Sequence, residues 1–251
     1  MSEALVVVAF TFLIAFLYAS VGHGGASGYL AVLSFLALPH QAIAASALCL
    51  NLIVSGIACW TFRKARHFSF SLTWPFVAAS VPAAFLGGLI KIPAPVYAWL
   101  LAGVLLYAAL YLFFDVRKES EETPGSPVLS TSLFVGGLVG MFSGMVGVGG
   151  GIFLSPLLIL ARWADPKKTA ATSAFFIFAN SVSGLAARFL RGAFQISPSL
   201  SIMILAALAG GLIGAGLGAR RFSCAGLRRI LAFVLILAAG KWIVQAAAFR
   251  I

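Results

Sequence analysis

Val21-Gly22-His23-Gly24-Gly25 and Val146-Gly147-Val148-Gly149-Gly150 are two glycine-rich stretches at matching places in the chain. Each follows a long apolar segment and precedes a short one, at 29–38 and at 152–161, that reaches only about half-way across a bilayer. Glycine lets the backbone leave a helix. Irregular backbone at membrane depth persists only where it lines a cavity or is buried in protein. The two stretches therefore predict interrupted helices whose turns lie in the interior.

The composition is that of a membrane protein. Of the 251 residues, 62% are hydrophobic and only 9% are charged, and the mean hydropathy is +1.08. Apolar runs long enough to cross a bilayer as a helix occur at 4–21, 42–62, 72–90, 96–114, 128–146, 170–190, 200–219 and 230–249. Together with the two short segments, they predict an all-α polytopic membrane protein with eight long helices and two half-helices.

The two halves of the chain align with each other as a duplication. Arg63-Lys64-Ala65 falls on Arg191-Gly192-Ala193, and Ser55-Gly56 falls on Ser183-Gly184, both at an offset of 128 residues. Apolar helices match one another by chance, so the glycine and polar positions carry this evidence. The sequence therefore predicts two copies of one membrane repeat.

The repeats are predicted to cover 1–114 and 128–251, joined by a polar connector at 115–127. Loops on the connector's side of the membrane carry 12 of the 17 Lys and Arg residues, and the opposite loops carry four. Those four are Lys91, Arg188, Arg191 and Arg250, while Lys241 lies inside the last segment. The positive-inside rule places the connector in the cytoplasm and both termini outside the cytoplasmic membrane.

This orientation implies inverted repeats, because each half then contributes an odd number of crossings. It holds whether each glycine turn joins two crossing segments or forms a re-entrant hairpin. A parallel duplication fits the charge bias less well. Inverted repeats with paired interrupted helices place a substrate site near the bilayer midplane, where the repeats meet.

The short helices predict an anion site. A helix N-terminus offers unpaired N–H groups and the positive end of a dipole, and here two such ends are expected to meet. The acidic residues all lie outside the apolar segments: Glu3, Asp115, Glu119, Glu121, Glu122 and Asp165. Cation transporters usually need carboxylates within the membrane, so their absence favours a small anionic substrate. The alternative interpretation is that the glycines only allow close helix packing.

The candidate substrate-binding residues are Gly22, His23, Gly24, Gly25, Ser27, Ser46, Asn51, Gly147, Gly149, Gly150, Gly151, Ser173 and Asn180. Ser55, Thr172 and Ser183 are further polar residues in long segments, where the alternative is a helix–helix hydrogen bond. His23 stands in a glycine turn, and histidine is the side chain whose unperturbed charge change falls near neutral pH. It is expected either to bind the anion or to be a satisfied structural residue.

Other glycines and other functions are assigned as follows. Gly136, Gly140 and Gly144, like Gly210, Gly214 and Gly218, recur every four residues and predict close helix packing. The net charge of +11 is spread over short loops, which argues against a nucleic-acid partner. The three His residues and three Cys residues are scattered, so neither an enzyme nor a metal site is predicted. We expect no cofactor, and the oligomeric state stays open.

At these residues the chain resembles the sulfite exporter TauE/SafE family, also called the toluene sulfonate uptake permease group. The likeness rests on Gly-x-Gly-Gly in each half, on Pro39 and Pro166 after the short segments, and on the repeat. It implies transport of sulfur oxyanions or organosulfonates across the cytoplasmic membrane. A passive anion channel of the same architecture is the alternative. The first half departs from the pattern, with Ala26 in place of the third glycine and Ala31 where the second half has Pro156.

Overall fold

The computed structural model describes residues 2–36, 38–114, 125, 127–220 and 225–248. These residues form ten helices, α1 (Ser2–Ser20), α2 (Ala26–Ser34), α3 (His40–Lys64), α4 (Phe70–Leu89), α5 (Ala94–Phe114), α6 (Leu129–Val146), α7 (Gly151–Leu160), α8 (Pro166–Leu190), α9 (Leu200–Arg220) and α10 (Ala225–Ala248). Within these ranges there is no strand. The predicted connector at 115–127 lies outside the described residues, apart from 125 and 127.

The all-helical membrane fold is confirmed. Five helices, α3, α4, α6, α8 and α9, are long and apolar enough to cross a membrane, counting only the residues that the structure describes. Shorter apolar stretches occupy α1, α5 and α10. Large apolar side chains such as Trp60, Phe134, Leu205 and Val244 are exposed on the outside of the bundle. Side chains of this kind suit contact with lipid rather than with water.

Helix ends differ from the predicted ones where capping decides them. The segment predicted at 170–190 begins four residues earlier as α8, because the Asp165 carboxylate accepts hydrogen bonds from the Lys167 and Lys168 amides at 3.0 and 2.9 Å. Pro166 then occupies the first helical position, where a missing N–H costs nothing. The short segment predicted at 29–38 is instead α2, which starts directly after Gly25.

Two long interfaces hold the bundle together through glycine. A side chain at Gly210, Gly214 or Gly218 on α9 would clash with the carbonyl oxygens of Phe12, Phe16 and Ser20 on α1. A side chain at Gly136, Gly140 or Gly144 on α6 would clash in the same way with Phe76, Ser80 and Ala84 on α4. Small residues at such crossings let two backbones approach closely. The predicted packing role of these six glycines is confirmed.

The centre of the bundle is the crossing of α3 and α8, which run antiparallel. Gly56 of α3 lies against the Phe178 ring, and Gly184 of α8 lies against Leu48. α4 packs against α8, where Thr73 Oγ1 donates to Thr172 Oγ1 at 3.1 Å. α9 packs against α3, and α5 packs against α10. Both glycine turns end at the α3–α8 crossing.

Arg188 was predicted to lie in an outer loop, but the structure places it in a helix. It belongs to α8 and is only 4% exposed. Its guanidinium donates from Nη1 to the Gly144 carbonyl at 3.0 Å and from Nη2 to the Met145 carbonyl at 3.3 Å. These carbonyls end α6 and have no partner within their own helix. Arg188 therefore caps α6 from inside the bundle and is not one of the bases of the outer loops.

Candidate functional site

Glycine fixes the point at which each short helix begins. Gly25 is the N-cap of α2 with φ of 95°, and Gly150 is the N-cap of α7 with φ of 80°. Side chains are strongly disfavoured at such left-handed backbone angles. A side chain at Gly25 would also press on the Tyr29 ring, and one at Gly150 would press on Phe176. A glycine with a left-handed backbone thus sets the start of both half-helices.

Asn51, at the middle of α3, joins the two turns. Its Oδ1 accepts a hydrogen bond from the Ala26 amide at 3.1 Å, the first N–H of α2. Its Nδ2 donates to Ser181 Oγ at 2.9 Å and, at the outer limit of 3.5 Å, to the Val148 carbonyl in the second turn. Asn51 is almost completely buried. One side chain therefore contacts both turns and links α3 to α8.

Gly24 and Gly149 lie on either side of the Asn51 amide. A side chain at Gly24 would clash with Asn51 Oδ1, and one at Gly149 would clash with Nδ2. The Gly149 position would also be 2.9 Å from the Ile177 side chain. The second glycine of each motif is thus needed because the chain passes directly over an amide at that position.

His23 connects the first turn to the second half. Its Nδ1 lies 3.1 Å from the Val21 carbonyl and its Nε2 lies 3.1 Å from Ser155 Oγ on α7. Since a carbonyl can only accept, Nδ1 carries a proton, and Nε2 of the neutral ring accepts from Ser155. Ser155 Oγ is in turn 2.7 Å from Ser173 Oγ on α8. A chain of three polar side chains therefore runs beside the turns.

A small cavity lies where these groups meet. It is lined by Tyr18, His23, Gly24, Gly25, Ala26, Ser27, Asn51, Val148, Ile152 and Ile177. Its volume is about 10 Å³, which is room for about one water molecule. A sulfur oxyanion is larger than water, so the turns must separate before such an ion can enter. The cavity in this structure is therefore too small for such an ion.

The structure brings most of the predicted site residues together. Ser27 lines the cavity and its Oγ is 2.7 Å from the Tyr18 hydroxyl. Gly151 opens α7 against Ile177, and Ser173 is reached through Ser155. Gly22 and Gly147 lie at the far ends of the turns, where they contact the α8 backbone at Ala170 and the Ala44 methyl of α3, respectively. They shape the turns and do not line the cavity.

Other predicted polar residues serve the helix packing. Ser46 Oγ accepts from the Ser197 amide at 2.7 Å, away from the cavity lining. Ser183 Oγ donates to the Val81 carbonyl at 2.6 Å, and Ser55 Oγ donates to Leu52 of its own helix. Asn180 is different, because it is 1% exposed and neither atom of its amide has a hydrogen-bond partner among the described residues.

Several side chains of the site were not predicted from the sequence. Ser155 and Ser181 supply the partners of His23 and Asn51, and Tyr18 supplies the partner of Ser27. Only their positions in the sequence could have indicated them, since Ser155 lies in a half-helix and Ser181 follows Asn180. A serine in an apolar helix looks the same whether it bonds to its own helix or across the site.

Known proteins that resemble this chain include membrane transporters. A Sinorhizobium fredii protein named Probable membrane transporter protein y4hK is 34% identical over 244 residues, which is 96% of this chain and 98% of that protein. A Bacillus subtilis protein named Probable membrane transporter protein YunE is 31% identical over 108 residues, which is 43% of this chain and 39% of that protein. No solved structure matches the chain. The family described as Sulfite exporter TauE/SafE matches residues 7–242, and the protein therefore belongs to that family.

Proposed function

We propose that this protein is a transporter that moves a small sulfur-containing anion across the cytoplasmic membrane, through a site between the N-termini of α2 and α7. The observation that carries the proposal is the convergence of both glycine turns on Asn51. The family description supports transport of a sulfur anion, and the names of the two relatives support transport. The chemistry of the converging groups supports a negatively charged substrate.

The electrostatics at the two helix starts favour an anion. The first N–H groups of a helix lack intrahelical partners, and the aligned peptide dipoles place partial positive charge there. Two such ends face the same cavity, from Ala26 and from Gly151 onward. The cavity lining contains no carboxylate. A bound oxyanion would therefore meet N–H donors and positive dipole ends without an opposing negative charge.

The helix directions support an inverted repeat. In the alignment of the halves α3 corresponds to α8, and the two run antiparallel, since Leu48 meets Gly184 while Gly56 meets Phe178. α3 packs on α9 as α8 packs on α4, and α1 packs on α9 as α6 packs on α4, which are matching contacts in the alignment of the halves. Two half-helices of inverted repeats start near the bilayer midplane. This agrees with the central position of Asn51 in its membrane-crossing helix.

The basic helix ends support the proposed topology. α3 and α9 run parallel, because Ser46 meets Ser197 near their starts and Val54 meets Gly211 further along. Their C-terminal ends carry Arg63 and Arg220 and so lie on the same side. By the positive-inside rule that side is cytoplasmic. Both chain termini are then proposed to face outward.

Transport through this site requires the turns to move. The closed cavity has room for about one water, at about 10 Å³. An entering anion must separate the two turns, and the Asn51 contacts are the bonds that this movement breaks. Rocking of one repeat against the other would expose the site to either side in turn.

Purified protein in liposomes tests the proposal. We expect saturable uptake of sulfite, thiosulfate or an organosulfonate, with little uptake of ammonium or choline as cationic probes. Asn51→Leu should abolish the flux. Flux that rises linearly with concentration and conducts current would identify a passive channel of the same architecture instead. No flux and no binding of any sulfur anion would refute the proposal.

A further inference from the structure

We propose that the anion rests at the N-terminus of α7, next to the cavity, held by the first N–H groups of α7 together with the Ser143 hydroxyl and the Asn180 amide. This inference rests on the proposed function and names side chains for its site. Ser143 was not a candidate from sequence, and Asn180 was one polar residue among several. Among the described residues five buried side chains carry a polar atom without a hydrogen-bond partner, and these two are the ones that lie around the N-terminus of α7.

The two half-helices differ in the state of their first N–H group. In α2 the Ala26 amide is occupied, since it donates to Asn51 Oδ1 at 3.1 Å. In α7 the corresponding Gly151 amide has no hydrogen-bond partner among the described residues, and neither does the Ile152 amide. The first peptide of α2 is therefore capped from within the protein. The first peptide of α7 is available to a ligand.

Ser143 lies beside this open helix end. A Cβ placed at Gly150, the N-cap of α7, would be 3.3 Å from the Ser143 Cβ. The Ser143 side chain is 1% exposed, and its Oγ has no hydrogen-bond partner. A buried hydroxyl without a partner is uncommon in proteins and costs free energy. Its position next to Gly150 makes it a donor for a group bound at the N-terminus of α7.

Asn180 reaches the same region from α8. Residues three and four apart share a helix face, and Asn180 is three residues after Ile177 and four after Phe176. Ile177 lies against Gly149 and Gly151, and Phe176 lies against Gly150. The face of α8 that carries Asn180 is thus the face that covers the second glycine turn. Its unpaired amide is buried on this face.

The contrast with Asn51 shows which asparagine a ligand would need. The repeat places Asn51 within one residue of Asn180 in the second half. Asn51 already makes three hydrogen bonds, whereas Asn180 makes none. The free donor groups at the α7 end are the first peptide N–H groups of the helix, a hydroxyl and a carboxamide NH₂. Donors from three sides suit the oxygens of an SO₃ group, as in sulfite or an organosulfonate.

The inference is tested with Asn180→Leu and Ser143→Ala in purified protein, using sulfite and a simple alkylsulfonate as probes. Each variant should weaken binding on the order of tenfold, the factor that about one lost hydrogen bond to an anion produces. Without anion, both variants should melt at or above the wild-type temperature, because each removes an unpaired buried polar group. The rise in melting temperature that the anion gives the wild type should shrink in both.

Ser132→Ala is the matched control, since Ser132 is a buried serine of the same helix whose Oγ donates to Val128 of α6 at 3.2 Å. It should bind the probes as the wild type does. Wild-type affinity in Asn180→Leu and Ser143→Ala, with binding by the unaltered protein intact, would overturn this inference alone. Lower melting temperatures without anion in both variants would also overturn it, because they would show structural partners. Absence of binding by the wild type would overturn this inference and the proposed function together.

Discussion

Asn51 Nδ2 donates a hydrogen bond to Ser181 Oγ at 2.9 Å, which links two residues 130 positions apart in the chain. The Oδ1 atom of the same side chain accepts a hydrogen bond from the first N–H of α2. Because the two atoms of one rigid carboxamide serve opposite partners, the first turn and α8 are held at a fixed separation. The closed state of the site depends on this side chain.

Asn51→Leu should therefore lower both stability and transport. The substitution keeps the approximate size of the side chain but removes all three hydrogen bonds and leaves buried partners unpaired. We expect a loss of about 2–4 kcal/mol in the free energy of unfolding and loss of saturable anion flux. Thermal melting in detergent and liposome uptake measure the two effects. Ser55→Ala, one turn further along α3, is the control and should change neither; normal flux in Asn51→Leu would contradict the role assigned to Asn51.

Gly24→Leu and Gly149→Leu should abolish anion binding while the protein still inserts into the membrane. Either side chain would occupy the space of the Asn51 amide, and at Gly149 the φ of 79° adds backbone strain. Binding of sulfite or thiosulfate to purified protein is the measurement. Gly103→Leu serves as control, since no atom lies within 4 Å of a Cβ at that position. Normal binding in either turn variant would leave the glycines with a packing role only.

Gly140→Val should destabilise the fold without changing the chemistry of the site. The new side chain would meet the Ser80 backbone of α4, and overpacking of this kind costs about 1–3 kcal/mol. A lower melting temperature, with wild-type anion affinity in the fraction that stays folded, is the expected result. Gly137→Val is the control, because a Cβ there meets only the Ala79 methyl at 3.9 Å. Equal melting temperatures for the two variants would argue against close packing of α4 on α6.

His23→Val, which copies Val148 of the second turn, should reduce anion flux and flatten its dependence on pH. Protonation of an imidazole near neutral pH adds a positive charge beside the anion, so flux in the wild type should rise as the pH falls from about 8 to 5.5. Valine cannot carry that charge or accept from Ser155. Uptake in liposomes across this range gives the profile. An unchanged profile in His23→Val would assign His23 a structural role.

Ser71→Cys and Ser199→Cys should be labelled from opposite faces of the membrane by a membrane-impermeant thiol reagent. Ser71 lies at the start of α4 and Ser199 lies just before α9, and these helices correspond in the two halves. The native cysteines are first replaced by Ala to give a clean background. Intact cells and inverted vesicles report the two faces. Labelling of both positions from the same face would exclude inverted repeats.

The glycine pattern was a sound guide to the fold, because glycine marks where a helix stops inside a bilayer. It placed α7 within one residue, at Gly151–Leu160 against the predicted 152–161. Hydropathy was a poor guide to the end of α2, since the chain at Phe35 and Leu36 is apolar yet outside the helix. Apolarity is required of everything at that depth and therefore does not distinguish helix from turn.

The site was predictable only in part. Asn51 stood out because a carboxamide in an apolar helix needs partners, and it proved to hold both turns. Ser46 and Ser155 have the same chemistry in the sequence, but Ser46 accepts from a loop amide and Ser155 is bonded to His23. Which serine faces the site depends on the rotation of each helix within the bundle. That rotation is set by contacts between distant segments.

The six packing glycines have a consequence for the predicted duplication. All of them lie in the second half of the chain, and all of them contact main-chain atoms of the first half. An assembly of two identical first halves would place α1 of one copy against α4 of the other, and at the offset of 128 residues the α4 positions that correspond to Gly210 and Gly214 are Pro82 and Leu86. Such helices would be held too far apart for their turns to meet. If an ancestral gene made antiparallel dimers of a single repeat, its two halves would have lost the ability to pair with copies of themselves once glycine was confined to one of them. Each half of the present chain then needs the other half to pack.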